Sequence, residues 1–150
     1  MKENKIQKES KYEALKLENQ ICFPLYAATN KVIRKYKPLL DDLNLTYTQY
    51  ITMMVLWEKK QVNEKQLGKC LFLKSNTLAP LLKKLENKGY ITRNKDKKDE
   101  RNLIISITKL GEYLKKKAVN VPKELAKEID LSQKEAENLY KILYKILEEK

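Results

Sequence analysis

Apolar residues recur every three or four positions along most of the chain, the spacing that places them on one face of an α-helix. The pattern predicts a long first helix from about Lys16 to Leu40. Its apolar stripe consists of Ile21, Leu25, Ala28, Val32, Tyr36 and Leu39. Pro24 must lie in the first turn of this helix or kink it, because proline lacks an amide donor and clashes with the preceding turn.

Two shorter helices are predicted next. The first spans about 47–59, where Thr46 or Thr48 can cap the first turn. The other begins at Asn63, whose side chain forms a capping-box-like pair with Gln66. One side of this short helix carries Leu67, Cys70 and Leu71.

A fourth helix is predicted from Ser75, which can cap it, to Gly89, a residue type typical just past a helix end. At about 100° per residue, one face carries Leu78, Leu81, Leu82 and Leu85. The opposite face carries Asn76, Pro80, Lys83, Lys84 and Asn87. The first face is expected to dock on a core, which leaves the basic and amide-rich face outside.

The period then changes to two, which predicts two strands around a charged turn in "YITRNKDKKDERNLIISIT". Two further helices follow, at about Leu110 to Lys127 and Ser132 to Glu149, and Ser132 caps the second with Glu135. The last helix has an apolar stripe of Leu139, Ile142, Leu143, Ile146 and Leu147. This stripe and that of the first helix both need a cover, so we expect the terminal helices of two copies to pack together in a homodimer. The alternative is that they pack within one monomer.

Composition bounds the class of protein. A chain of 150 residues is the size of one domain and builds a core without disulfides, so its two cysteines are expected to be reduced. No apolar run approaches the ~20 residues of a membrane span, and the charged N-terminus is unlike a signal peptide. We expect a soluble cytoplasmic protein with no membrane partner.

The absence of histidine excludes Ser-His-Asp and Cys-His catalysis and histidine metal sites. No CxxC pair and no glycine-rich phosphate loop occurs. We therefore expect neither an enzyme nor a cofactor or metal.

The formal net charge of +12 favours a polyanionic partner. Residues 83–98 contain seven basic and two acidic side chains, so the surplus is concentrated in the fourth helix and the hairpin. Three helices followed by a hairpin is the order of a winged helix-turn-helix, which binds double-stranded DNA with its second motif helix in the major groove. Candidate DNA contacts are Ser75, Asn76, Thr77, Pro80, Lys83, Lys84, Arg93, Lys95, Lys97 and Lys98.

Several segments resemble the MarR family of dimeric winged-helix regulators: "LTYTQYITMMVLWE", "LGKCLFLKSNTLAPLLKKLENKGYITR" and "KKDERNLIISIT" followed by "LG". Within that family, "QICFPLYA" and "KYKPLLDDLNLTYTQY" are similar to the organic hydroperoxide resistance (OhrR) and single-cysteine SarZ-like regulators. The resemblance covers about residues 15 to 150. It implies a mainly α fold with a β-hairpin wing in one domain spanning 1–150. Dimerisation helices are expected at about 15–40 and 110–149, and the DNA-binding region at about 45–108.

The resemblance also assigns roles to individual residues. It implies that Cys22 is the peroxide sensor and that Tyr36 and Tyr47 hydrogen-bond its thiolate across the dimer. In the wing, Arg101 is expected in the minor groove and Asp99 to steady the turn. Pro24 replaces a residue that is usually not proline, which moves the expected helix start closer to Cys22.

The function expected from these residues is a repressor that leaves a near-palindromic operator when an organic hydroperoxide oxidises Cys22. A sulfenic acid would form first, followed by a mixed disulfide with a low-molecular-weight thiol or further oxidation. Cys70 is interpreted as a packing residue. Two alternatives remain open: a regulator that responds to a small phenolic or aromatic ligand, and a thiol peroxidase.

Overall fold

The computed structural model describes residues 11–148, which form seven α-helices and a three-stranded antiparallel sheet. Two 3-10 turns, Glu13–Leu15 and Leu17–Asn19, come first. The helices are α1 (Cys22–Asp41), α2 (Tyr47–Lys59), α3 (Glu64–Leu71), α4 (Ser75–Asn87), α5 (Lys109–Ala118), α6 (Val121–Lys127) and α7 (Gln133–Leu147). The strands are β1 (Gln61–Asn63), β2 (Ile91–Lys95) and β3 (Leu103–Ile107). No helix within residues 11–148 is long and apolar enough to cross a membrane.

The first helix begins at Cys22, six positions after the predicted start at Lys16. Pro24 explains the difference, because a helix continuing through it would need an amide donor at Pro24 and would push its ring against the carbonyl of Gln20. The Gln20 side chain instead donates to the Ala14 oxygen at 2.5 Å and closes the two 3-10 turns. Pro24 therefore lies in the first helical turn, as predicted.

Helix α2 occupies the centre of the described fold. Its predicted bounds and its cap at Thr46 are confirmed: Thr46 Oγ1 accepts from the Gln49 amide at 3.3 Å, and Gln49 Oε1 accepts from the Thr46 amide at 3.1 Å. The helix packs against α1, α3, α4, α5, β1 and β3. Met53 and Leu56 have no exposed surface there, so α2 to α4, the sheet and the helices around them share one core.

Two predicted caps differ in detail. The Asn63 side chain does cap α3, but it accepts from the Lys65 amide at 2.8 Å and not in a pair with Gln66. Ser75 is the first residue of α4 and not its cap, which is Lys74 without a side-chain bond. Gly89 follows the end of α4 at φ +78°, where a residue without Cβ is favoured, as predicted.

The sheet has the order β1-β3-β2, so the predicted hairpin of β2 and β3 gains a third strand. Ile105 of β3 lies at its centre, paired with Val62 on one side and Arg93 on the other. A strand of three residues is too short to show a period of two, which is why the sequence did not reveal β1.

The helix predicted from Leu110 to Lys127 is two helices, α5 and α6, separated at Val119 and Asn120. Pro122 cannot donate to the Ala118 carbonyl, so the helical hydrogen bonds stop there. The cap of α7 is confirmed, because Ser132 and Glu135 form a reciprocal capping box. The predicted end of that helix at Glu149, and residues 1–10, lie outside the described residues.

The apolar stripe of α7 and the N-terminal part of the α1 stripe are exposed in one chain, whereas Tyr36 and Leu39 further along α1 pack against the core. None of the α7 side chains is buried, and Ile142 is 58% exposed. At the start of α1, Ile21 is 85% exposed, and Phe23 and Leu25 are also exposed. Within one monomer, α1 packs against α2 and α6. The alternative left open by the sequence therefore holds for the second half of α1, but not for α7 or the start of α1.

Substitution of Leu56 by alanine tests the position of the core. We expect the free energy of unfolding to fall by about 2–5 kcal/mol, because the removed side chain leaves a cavity in a fully buried site. Met54→Ala, at an exposed position of the same helix, should cost less than about 1 kcal/mol. Urea denaturation at one fixed protein concentration measures both, and equal losses would contradict this core.

Candidate nucleic-acid interface and redox site

The outer face of α4 presents the predicted DNA-binding side chains to solvent. Its four leucines, Leu78, Leu81, Leu82 and Leu85, are buried as predicted. Their burial fixes the rotation of the helix about its own axis. The residues that this rotation leaves exposed are Ser75, Asn76, Thr77, Pro80, Lys83 and Lys84.

Arg93 lies at the junction of α4 and β2 and is engaged with Glu86. Its Nη2 and Nε donate to Glu86 Oε2 at 2.8 and 3.0 Å, and its backbone amide donates to Oε1 at 3.1 Å. The hydrogen bonds from Arg93 hold the pKa of the Glu86 carboxyl below its usual value. The structure thus gives Arg93 a role in joining helix and wing, whereas the sequence suggested a direct DNA contact.

Lys88 is likewise turned inward, although it contributes to the basic surplus of residues 83–98. Its Nζ donates to the Asn44 carbonyl at 2.6 Å and to Gln49 Oε1 at 3.0 Å, and burial lowers its pKa. These bonds connect the end of α4 to the loop before α2 and to the first turn of α2. The positive charge available to a ligand is therefore carried mainly by the exposed lysines.

The tip of the wing is held by its own side chains. Asp99 Oδ1 accepts from the backbone amide and the Nε of Arg101, both at 3.1 Å, and Oδ2 accepts from Asn102 Nδ2 at 3.3 Å. The Arg101 side chain is 91% exposed. Lys95, Lys97 and Lys98 are exposed beside it. The turn thus exposes an arginine whose backbone amide and Nε are both hydrogen-bonded to Asp99.

Cys22 is the first residue of α1 and is exposed to solvent. In the first turn of α1, the Phe23 amide donates to the Gln20 carbonyl at 3.3 Å and Pro24 has no amide hydrogen. Ile21, Phe23 and Leu25, its neighbours in the chain, are also exposed. The site thus combines an accessible sulfur with nearby apolar side chains.

Tyr36 of α1 and Tyr47 of α2 lie together in one chain, with ring centroids 4.8 Å apart. Tyr50 is a third member, 5.8 Å from Tyr36, and the sequence did not single it out. Its position three residues after Tyr47, on the same face of a helix, is the signal that was available. Burial, with smaller contributions from Tyr47 and Tyr50, raises the pKa of Tyr36 to about 12, so its hydroxyl remains a neutral donor near pH 7.

The chain does not bring Cys22 to these tyrosines by itself. Cys22 and Tyr36 are 14 residues apart on one helix, which is ~21 Å along its axis. A contact between the sulfur and the phenols therefore requires a second copy of the chain.

Cys70 is exposed, which contradicts its interpretation as a packing residue. The buried side of α3 centres on Leu67 and Gly68, and Cys70 lies about 110° from that centre. Of the predicted apolar side, Leu67 is thus fully buried and Leu71 is partly buried against the core.

The fold and the site define a winged-helix transcriptional regulator: a helix-turn-helix of α3 and α4 is followed by a wing with an exposed arginine. The family described as "Transcriptional regulator SarA/Rot" matches residues 34–118, and the chain belongs to this family.

Similarity to individual proteins extends over nearly the whole chain. It is 44% identical to the organic hydroperoxide resistance transcriptional regulator of Bacillus subtilis over 143 residues, 93% of this chain and 95% of that protein. It is 42% identical to the HTH-type transcriptional regulator SarZ of Staphylococcus saprophyticus, covering 85% of this chain and 87% of SarZ. The resemblance to organic hydroperoxide resistance and SarZ-like regulators is thereby confirmed.

A solved structure shows the same fold. AbfR of Staphylococcus epidermidis, bound to DNA in its reduced form, is 31% identical with a TM-score of 0.76, covering 93% of this chain and 96% of AbfR. Overoxidised AbfR bound to DNA gives a TM-score of 0.74 at the same identity, covering 91% of this chain and 96% of AbfR. The expected winged-helix fold is confirmed.

The link between Glu86 and Arg93 can be tested by Glu86→Gln. Loss of the carboxylate removes the charge partner of Arg93 and loosens the wing against α4, so affinity for an operator duplex should fall by up to about fivefold. The duplex is selected from a random-sequence library with the reduced protein, and fluorescence anisotropy measures binding. Glu124→Gln breaks an ion pair with Lys127 on α6 and should leave the affinity unchanged. An unaltered affinity in Glu86→Gln would show that the wing holds its position without this pair.

The raised pKa of Tyr36 predicts a dependence of stability on alkaline pH. Because folding favours the neutral phenol, its contribution is complete below about pH 10 and is lost as pH rises towards about 12. Tyr36→Phe should show a smaller loss of unfolding free energy across this range than the wild type. Tyr26→Phe, which changes an exposed tyrosine of the same helix, should behave as wild type. Denaturant titrations at a series of pH values measure the unfolding free energy, and absorbance follows phenolate formation. An identical loss of unfolding free energy in all three proteins would refute the raised pKa of Tyr36.

Proposed function

We propose that the protein is a homodimeric, cytoplasmic repressor that senses organic hydroperoxides through Cys22. The observation that carries this proposal is the exposed thiol at the first turn of α1, next to an apolar stripe whose N-terminal part is exposed in one chain. A second copy covering that stripe would bring its own Tyr36 and Tyr47 towards the sulfur. Cys22 would then lie in the interface between the two subunits.

The chemistry follows from a thiolate next to apolar surface. The sulfur attacks the terminal peroxide oxygen, a sulfur–oxygen bond forms, and the oxygen–oxygen bond breaks. The alkoxide takes up a proton and leaves as an alcohol. Sulfur is oxidised by two electrons to a sulfenic acid, and the peroxide is reduced. Phe23 and Leu25 favour hydroperoxides with an apolar substituent.

A small thiol can then condense with the sulfenic acid, forming a mixed disulfide and releasing water. Cys70, the second cysteine in the chain, is on α3 in the DNA-binding region, so we assign it no part in this step. Overoxidised AbfR is itself found on DNA. That observation favours the mixed disulfide, and not an oxygen acid of Cys22, as the form that leaves the operator.

DNA recognition is assigned to α4 and the wing. Ser75, Asn76 and Thr77 would face base edges or phosphates at the start of the recognition helix. The exposed lysines contribute mainly the salt-dependent phosphate term. Arg101, whose Nε donates a hydrogen bond to Asp99, would enter a narrow minor groove. Two copies related by a twofold axis would read a near-palindromic operator.

Release of the operator would follow from a change in the distance between the two recognition helices of the dimer. A bulky group on Cys22 does not fit in the space of the thiolate beside the phenols of the other subunit. The two subunits would therefore move relative to each other at the dimer interface. The two recognition helices must match half-sites about one or two helical turns apart. A small rotation of each DNA-binding region is therefore enough to lose the operator.

The decisive experiment compares wild type with Cys22→Ser and Cys70→Ser. Each protein is treated with cumene hydroperoxide in the presence of free cysteine, and binding to the selected duplex is measured by anisotropy alongside intact-mass spectrometry. Wild type and Cys70→Ser should gain one cysteine adduct per subunit and lose binding by at least about tenfold. Cys22→Ser should retain binding and gain no adduct at this position.

Other outcomes identify the alternatives. Equal loss of binding in wild type and Cys22→Ser would refute sensing through this thiol. Release by a phenolic compound without oxidation would favour the small-ligand regulator. Many peroxide equivalents consumed per subunit with dithiothreitol would indicate a thiol peroxidase.

A further inference from the structure

Aromatic rings form a continuous column along one side of α2. Tyr36 of α1 contacts Tyr47 and Tyr50, and Tyr50 contacts Trp57 one further step along, with ring centroids 6.1 Å apart. Tyr50 is only 2% exposed and Trp57 only 7%. The column therefore begins at the proposed sensor tyrosines and ends deep in the core.

The far end of the column is tied to α5. Trp57 Nε1 donates to the Gly111 carbonyl at 2.9 Å in a buried hydrogen bond. Gly111 has no room to move towards the sheet: a Cβ built on it would lie 2.3 Å from the Tyr90 carbonyl oxygen and 2.8 Å from Ile107 Cγ1. The indole thus holds the first turn of α5 at a point of closest approach to the sheet.

That same turn is the base of the wing. The Thr108 hydroxyl accepts from the Gly111 amide at 3.1 Å and donates to the Gly89 carbonyl at 2.6 Å. The Thr108 amide donates to the Tyr90 carbonyl at 3.1 Å. Thr108 follows the end of β3, while Gly89 and Tyr90 connect α4 to β2. Movement of the α5 turn is therefore transmitted to both the recognition helix and the wing.

We propose that Trp57 is a positioning residue that couples the tyrosine site to the DNA-binding elements through its hydrogen bond to Gly111. The inference rests on the proposed function, because it takes Tyr36 and Tyr47 as the groups displaced when Cys22 is oxidised. Buried rings in contact cannot absorb a displacement without repacking, since protein interiors are close-packed. Displacement of Tyr36 is passed to Tyr50 and then to the indole.

A second link joins the same two helices on the outside, between Lys60 at the end of α2 and Glu112 on α5. Both side chains are partly exposed to solvent, where an ion pair contributes little. The buried indole bond is therefore the link expected to carry the coupling, and the outer pair supplies a matched control.

The test uses Trp57→Phe, which keeps an aromatic ring in the core and removes the N–H donor. The measured quantity is the ratio of operator Kd after and before treatment with cumene hydroperoxide and cysteine. This ratio should be about three- to tenfold smaller in Trp57→Phe than in wild type. Glu112→Gln should keep the wild-type ratio. A purely structural role of Trp57 would change both Kd values by the same factor and leave the ratio alone.

Because Trp57 is the sole tryptophan of the chain, the wild-type protein offers a second readout. Its indole N–H resonance, observed after ¹⁵N labelling of tryptophan, should shift on oxidation of the wild type and not in Cys22→Ser. This measurement remains decisive if Trp57→Phe does not fold.

Two results would overturn the coupling: an unchanged Kd ratio in folded Trp57→Phe, or an unshifted indole resonance in a wild type that has lost the operator. Failure of the proposed function looks different, because oxidised wild type would then keep its operator.

Discussion

The packing of α2 is the constraint on which the other elements depend. Its buried face carries Met53 and Leu56 at the meeting point of the helix-turn-helix, the sheet and the first turn of α5. The same helix carries Tyr47 and Tyr50, which meet α1. One rigid element therefore contacts both the sensor side and the DNA side of the chain. Such a helix cannot accommodate a change at one end without affecting its other contacts, because packed cores switch between arrangements and do not deform continuously.

A second constraint is the contrast between satisfied and unsatisfied apolar surface. The leucines of α4 are covered by the chain's own core, whereas α7 and the start of α1 are exposed. Cys22 lies at that exposed start of α1, next to the apolar stripe. A thiol at such a position is accessible to a reactant, and any group added to it falls where a second copy would pack. The proposed oxidation of Cys22 would thus act on the contact between two subunits, which one subunit alone does not form.

The sequence predicted those features that depend on residues close together in the chain. Thr46, Ser132 and the leucines of α4 were correctly identified, because caps and helical periods are local signals. The apolar period placed the start of α1 too early, at Lys16, whereas Pro24 correctly indicated a start closer to Cys22. The hydrogen bonds of Arg93 to Glu86 and of Lys88 to Asn44 were not predicted, because these partners are set by tertiary packing and counting charges does not reveal them. The link from Trp57 to Gly111 spans 54 positions and left no periodic trace.

The high pKa values of Tyr36, Tyr47 and Tyr50 also mean that their hydroxyls do not respond to pH changes near neutrality. The chain contains no histidine, the side chain whose charge ordinarily changes near neutrality. Burial raises the pKa of Tyr36, Tyr47 and Tyr50, so their hydroxyls stay protonated and can donate throughout the physiological range. Proton uptake or release by these phenols therefore cannot imitate the displacement that a modified sulfur produces. Under the proposed function, such donors would respond to what is bonded to Cys22 and not to pH, which is the property that a sensor of peroxides requires.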